Sequence, residues 1–133
     1  MRRHLDLIEQ HRLFRNACFL VQGFFQDTLN ESFKQKYKNQ NRKIGFAFLD
    51  CNIPESYKVV FEFIFDLMAP ESYIYMDEYF ENSGSLEYFG QFTRKLADVR
   101  KMGSAFVRCA AGFGALFRLY RLEREYSIPP LNL

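Results

Sequence analysis

The sequence predicts an α/β domain built on a mixed sheet of about five strands with helices on both faces. Three observations predict it. Two short apolar runs, Ile44-Gly-Phe-Ala-Phe-Leu-Asp50 and Tyr73-Ile-Tyr-Met-Asp77-Glu78, each end on acid. A helix-length segment opened by Pro54 and closed by Pro70 lies between them, so the unit reads as strand, crossover helix, strand. The last third, Ser104 to Arg121, reads as two strands joined by a turn at Ala110-Ala-Gly-Phe-Gly114.

Taken in order, residues 3–14 carry Leu5, Ile8, Leu13 and Phe14 among charges, the pattern of an amphipathic helix. Ala17-Cys-Phe-Leu-Val-Gln-Gly23 reads as a buried strand ending at a glycine. Asp27 or Thr28 is expected to cap a second helix, where Leu29, Phe33 and Tyr37 recur on one face. Lys38 to Lys43 is a polar loop, and the strand 44–50 follows. Segment 55–68 fits a strand by the alternation of Phe61, Phe63 and Phe65, and a helix by Val60, Ile64 and Met68. Its length and Pro54 at the first turn decide for a helix, apolar nearly all round and so covered on both sides. After strand 73–77, the turn Asn82-Ser-Gly-Ser85 leads to a helix with the stripe Phe89, Phe92, Leu96 and Val99. The remaining strands are placed at 105–109 and 115–121, and the tail Ile128-Pro-Pro-Leu-Asn-Leu133 is expected to be extended.

The length suits a single domain over 1–133 with a real core. Sixteen phenylalanines with no tryptophan argue for a thick core, or for apolar surface that a second subunit covers. A net charge of +2 implies neither a nucleic-acid nor a membrane partner. Lys34, Lys36, Lys38, Arg42 and Lys43 cluster among Asn and Gln, as a solvated helix end does. Cys18, Cys51 and Cys109 show no metal spacing or C-x-x-C, and no apolar leader or membrane-length run occurs. A reduced, cytoplasmic protein is expected.

Neighbouring parallel strands lie ~4.8 Å apart, and open α/β sheets bind ligands beyond the carboxyl ends of their strands. Asp50, Asp77 and Glu78 should therefore converge at one end of the sheet. Carboxylates so placed need a partner, and a hard divalent cation such as Mg²⁺ takes oxygen ligands of this kind. The competing reading is that Asp50 and Asn52 cap the helix beginning at Pro54 while Glu78 is solvated. Spacing alone leaves both open. Gly112-Phe-Gly114 lacks the third glycine of a nucleotide loop and reads as a hairpin turn. His4 and His11 are too far apart on one helix to share a metal, and Cys51 has no base near it in sequence.

Three segments carry a family resemblance: Val21-Gln-Gly-Phe-Phe-Gln-Asp-Thr-Leu29, Phe48-Leu-Asp-Cys-Asn-Ile-Pro-Glu-Ser-Tyr57 and Ile74-Tyr-Met-Asp-Glu-Tyr79. In order and spacing they resemble class I S-adenosylmethionine-dependent methyltransferases of the macrocin and mycinamicin O-methyltransferase type, over about residues 12–80. The resemblance implies that Asp50, Asp77 and Glu78 hold Mg²⁺, with Asp50 also a base. It also implies that Gly23 and Phe24 border the S-adenosylmethionine adenine. Departures are Cys51 for the family's Gly, Asn52 for its second Asp of that segment, and Glu78 for the second Asp of the last. The family's strand order is 3-2-1-4-5-7-6, and nothing before Ala17 supplies its first two strands. The resemblance thus implies a truncated Rossmann-like methyltransferase fold, the C-terminal half.

The expectation is a truncated methyltransferase-like protein without independent methyltransferase activity, retaining an acidic pocket for a small polar ligand or cation. Two other readings stay open: an active metal-dependent O-methyltransferase completed by a partner or swapped subunit, and a non-enzymatic oligomeric interaction module. A bare apolar edge on strand 44–50 either takes strand 17–23 directly or pairs with another copy, which with the phenylalanine excess adds the expectation of a homo-oligomer, most simply a dimer.

Overall fold

The structure is a computed structural model and describes residues 19–110 and 112–123. The helix expected over 3–14, with His4 and His11, lies outside the described residues, as do Cys18 and the tail 128–133.

The first elements are two helices, α1 (Phe25–Thr28) and α2 (Glu31–Asn39), and the strand β1 (Ile44–Leu49). The crossover helix α3 (Pro54–Ile64) leads to β2 (Met68–Met76). The long helix α4 (Ser83–Arg100) and the hairpin β3 (Met102–Ala110) and β4 (Gly114–Arg121) complete the order. Among the described residues the sheet has four strands in the order β1-β2-β4-β3. The β1–β2 pair is parallel, and β4 runs antiparallel to both β2 and β3. This is the α/β architecture with a mixed sheet that the sequence predicts, less one strand.

The strand expected over 17–23 is not seen in its described part, residues 19–23. Residues 19–24 are irregular, and Phe19, Leu20 and Val21 are exposed. An apolar run becomes a strand only when a neighbouring strand completes its hydrogen-bond ladder, and this one has no such neighbour among the described residues. The second helix also starts differently. Asn30, not Asp27 or Thr28, is its cap: the Phe33 N–H donates to Asn30 Oδ1 at 2.9 Å. Thr28 instead donates back to the Phe24 carbonyl at 2.9 Å within the short α1.

Two boundaries move. The crossover helix stops at Ile64, and β2 begins at Met68, well before the expected Tyr73. Ile44 pairs with Met68 but Phe46 pairs with Tyr73, so residues 69–72 bulge out of the ladder. Pro70, which has no N–H to give, sits in that bulge, and Glu71 takes a positive φ of 61° there. From Tyr73 to Met76 the ladder is regular.

The core lies on one face of the sheet. Phe61 of α3 stacks on Phe92 of α4 with ring centroids 4.8 Å apart, and Phe89 lies 4.4 Å from Phe117 of β4. On the other flank of α3, Phe63 stacks on Phe33 of α2 at 5.6 Å. The helix that reads as apolar all round is thus covered on both sides. Each such ring contributes roughly 1.5–3 kcal/mol by burial, and each good pair ~0.5–1.5 kcal/mol more. Val99 departs from its predicted stripe and is 64 % exposed.

The helices expected on both faces pack on this one face among the described residues. On the other face Phe46 and Phe48 are 57 % and 58 % exposed. No helix among the described residues is long and apolar enough to cross a membrane.

Candidate functional site

Because β1 and β2 are parallel, their carboxyl ends lie side by side. The Asp77 N–H donates to the Leu49 carbonyl at 3.0 Å, which makes Asp50 and Asp77 neighbours at the sheet's end. Asp77 and Glu78 are half-buried and Asp50 is exposed. The Asp77 carboxylate accepts from the Tyr75 hydroxyl at 3.1 Å. Here sequence spacing has brought the acids to the expected end of the expected strands.

Beneath them lie two buried groups, Cys51 and Tyr57. Burial pushes the Cys51 thiol up to about 11, and the negative charges of Asp50 and Glu78 push in the same direction. Both acids therefore act on one small volume. The Tyr57 ring is fully buried against Phe61, and its hydroxyl has no hydrogen-bond partner among the described residues. Burial raises Tyr57 to about 12, with Cys51 and Glu78 adding to the effect while the Cys51 backbone opposes it.

The floor of the site is fixed by Asn82, which is buried at the start of α4. Its Oδ1 accepts from the Gly84 N–H at 2.9 Å, capping the helix. Its Nδ2 reaches the Cys51 and Asn52 carbonyls at 3.4 Å, tying the loop after β1 to the loop after β2. Gly84 allows the two helix starts to touch: a Cβ there would sit 2.5 Å from the Pro54 backbone. The Ser85 hydroxyl faces the carbonyls of Asn82 and Tyr79 at 2.6 and 2.8 Å.

The alternative role for Asp50 and Asn52 fails. The helix cap of α3 is Ile53, and no side chain bonds the first turn. The three-carboxylate metal set is not formed either. Among the described residues no three His, Cys, Asp or Glu side chains converge to hold a metal ion. Asp50 is exposed, and Asp77 accepts from Tyr75. No Mg²⁺ site is thus seen among the described residues.

Gly23 and Phe24 are brought to the same end of the sheet by a different route. They line a cavity of about 500 Å³ with Phe25, Ile53, Glu55 and Ser56, so the segment before α1 meets the start of α3. Gly23 has a φ of 144°, and a Cβ there would press on the Thr28 methyl. Phe24 is 74 % exposed.

Sequence reasoning missed Tyr57, Tyr75 and Asn82. Tyr75 was legible by alternation, being two residues before Asp77. The partners of Tyr57 and Asn82 are about thirty positions away or depend on burial, and leave no local pattern. The basic cluster also has a sharper role than a solvated end. Lys38 lies 3.2 Å from the Asp66 carboxylate, Lys34 donates to the Glu62 carbonyl at 3.0 Å, and Lys43 donates to the Asp66 carbonyl at 3.1 Å. These cations serve the negative end of α3. Gly112 and Phe113 form the β3–β4 hairpin turn, with Phe113 accepting from the Phe80 N–H at 3.1 Å.

No protein-family model matches the chain, and no curated protein matches it. Among solved structures, an O-methyltransferase from Bacillus cereus in complex with SAH is similar at 14 % identity and a TM-score of 0.41. The match covers 68 % of this chain and 46 % of that one, so the chain spans about half the length of that enzyme.

Proposed function

We propose that this chain is a methyltransferase-like domain, related to S-adenosylmethionine-dependent O-methyltransferases, whose strand ends form an acidic pocket for a small polar ligand. By this reading it does not transfer methyl groups on its own. One observation carries the relationship: the sheet order β1-β2-β4-β3, with β4 inserted antiparallel between its neighbours. That is the 4-5-7-6 part of the order 3-2-1-4-5-7-6, reached here by physical pairing and not by sequence likeness.

The expectation of no independent activity rests on the resemblance alone: the family's cofactor loop follows its first strand, which has no counterpart among the described strands. Asp50 and Glu78 supply negative charge over a buried floor, which favours a ligand with hydroxyl or amino donors. Asp50, the exposed acid, is the member of the set free to accept a proton from such a ligand.

Titration calorimetry with S-adenosylmethionine tests the reading. No heat is expected from the isolated 133-residue chain. Micromolar binding would overturn the proposal in favour of a competent methyltransferase. Titrations with Mg²⁺ and Mn²⁺, with Asp77→Ala as control, test whether a cation enters the pocket in spite of the unformed ligand set.

A further inference from the structure

Away from the strand ends, α3 and α4 enclose a second cavity. The two helices run side by side in the same direction. Their starts touch at Pro54 and Gly84, Phe61 stacks on Phe92 further along, and Phe65 meets Phe92 edge-on with ring centroids 6.3 Å apart. Phe61, Phe65 and Phe92 are buried, and they floor a cavity of about 130 Å³. Its rim carries Lys58 and Glu62 from α3 and Lys95 from α4, all exposed. The Lys95 Nζ stands 4.4 Å from the Phe65 ring centroid, so its charge is held over the floor by a cation–π contact.

We propose that this cavity binds a small ligand made of one aromatic ring and one carboxylate. The site is separate from the acidic strand ends and does not depend on the function proposed for them. Size sets the number of rings. An apolar cavity of roughly 150 Å³ takes one benzene, so about 130 Å³ admits a single ring and excludes a bicyclic base. The three phenylalanines offer that ring an apolar floor with π faces and edges to pack on.

Charge sets the substituent. Among the described residues no carboxylate lies within ion-pair distance of Lys58 or Lys95, whereas Lys34, Lys38 and Arg118 each have one. A single lysine stem laid over a ring is ordinary covering of apolar surface. Two ammonium groups brought by two helices to one ring-sized cavity go beyond that, and both can pair with a ligand carboxylate. Glu62, one turn along from Lys58, leaves the rim with a net charge of +1, two lysines less one glutamate. That balance suits a monoanion and disfavours a phosphate dianion.

Benzoate titrated into the full 133-residue chain, followed by proton–nitrogen amide spectra, tests the proposal. Saturable shifts confined to residues 58–65 and 88–95 are expected, with a Kd of about 1 mM, as a ligand of this size allows. Benzamide keeps the ring without the charge and acetate the charge without the ring, so each should bind roughly tenfold more weakly or worse. Lys58→Met and Lys95→Met keep the apolar stems at exposed positions. Together they should weaken benzoate roughly tenfold, with the far-ultraviolet circular dichroism unchanged. Phenyl phosphate should bind more weakly than benzoate, and Glu62→Gln should narrow that difference. No shift in these two segments at about 20 mM benzoate, well above the expected Kd, would overturn the proposal. So would benzamide binding as well as benzoate, or a double lysine variant that binds benzoate as tightly as the wild type.

Discussion

Deleting the Tyr57 hydroxyl should make the protein more stable. The ring is fully buried and stacks on Phe61 with centroids 6.1 Å apart, and Tyr57→Phe leaves those contacts in place. The hydroxyl meets no partner in ordinary hydrogen-bond geometry among the described residues, the Cys51 backbone beside it making at most a weak one, so most of a desolvation cost of roughly 1–3 kcal/mol is uncompensated. Removing one oxygen leaves a void of about 10–15 Å³, worth about 0.3 kcal/mol at ~24 cal/mol per Å³. The balance is a gain of about 1 kcal/mol. With an unfolding entropy of about 2.1 cal/mol/K per residue over a chain of this length, Tm should rise by about 3–4 °C. Urea unfolding at pH 7 and a thermal scan measure both quantities. A loss of more than about 1 kcal/mol would refute the reasoning, because it would mean the hydroxyl is hydrogen-bonded in solution.

Two further outcomes follow from the same site. Asn82→Ala removes the α4 cap and the tie to the loop after β1, and should cost ~1–2 kcal/mol in urea unfolding, more than the exposed cap change Asn30→Ala; equal losses would count against the tie. The alkaline stability profile should carry the signature of Cys51. A thiol whose folded value is raised from 9.0 to about 11 holds its proton more tightly when folded. Its contribution is complete below pH 9 and is lost as pH rises through 11. Cys51→Ala should therefore flatten the fall in urea midpoint between pH 9 and 11, and an unchanged slope would show that the thiol is not the group responsible.

Part of the site is legible in the order of residues alone. Apolar runs tipped with acid, separated by a helix-length segment that opens on Pro54, specify a parallel pair, and parallel pairing by itself puts Asp50 beside Asp77. That inference needs only strand direction and length. What the acids do there is not a property of spacing. Asp77 accepts from Tyr75 and Asp50 is exposed, and no group of three metal-ligating side chains is seen among the described residues.

The sequence by itself determined the α/β class, the crossover helix, the α4 stripe and the terminal hairpin, because hydrophobic period and turn residues are local signals. It also located the acid-tipped strand ends. The tertiary structure decided what depends on distant partners. Residues 19–24 are apolar enough for a strand but have none to pair with among the described residues, whereas Pro70 and Glu71 enter β2 because a bulge accommodates them. The division of the phenylalanines was likewise decided in three dimensions. Phe61, Phe89 and Phe92 meet between helices and sheet, while Phe46 and Phe48, equally apolar, fall on the face that the described helices leave uncovered. Composition counts the rings, but only the register says which side of the sheet each one faces.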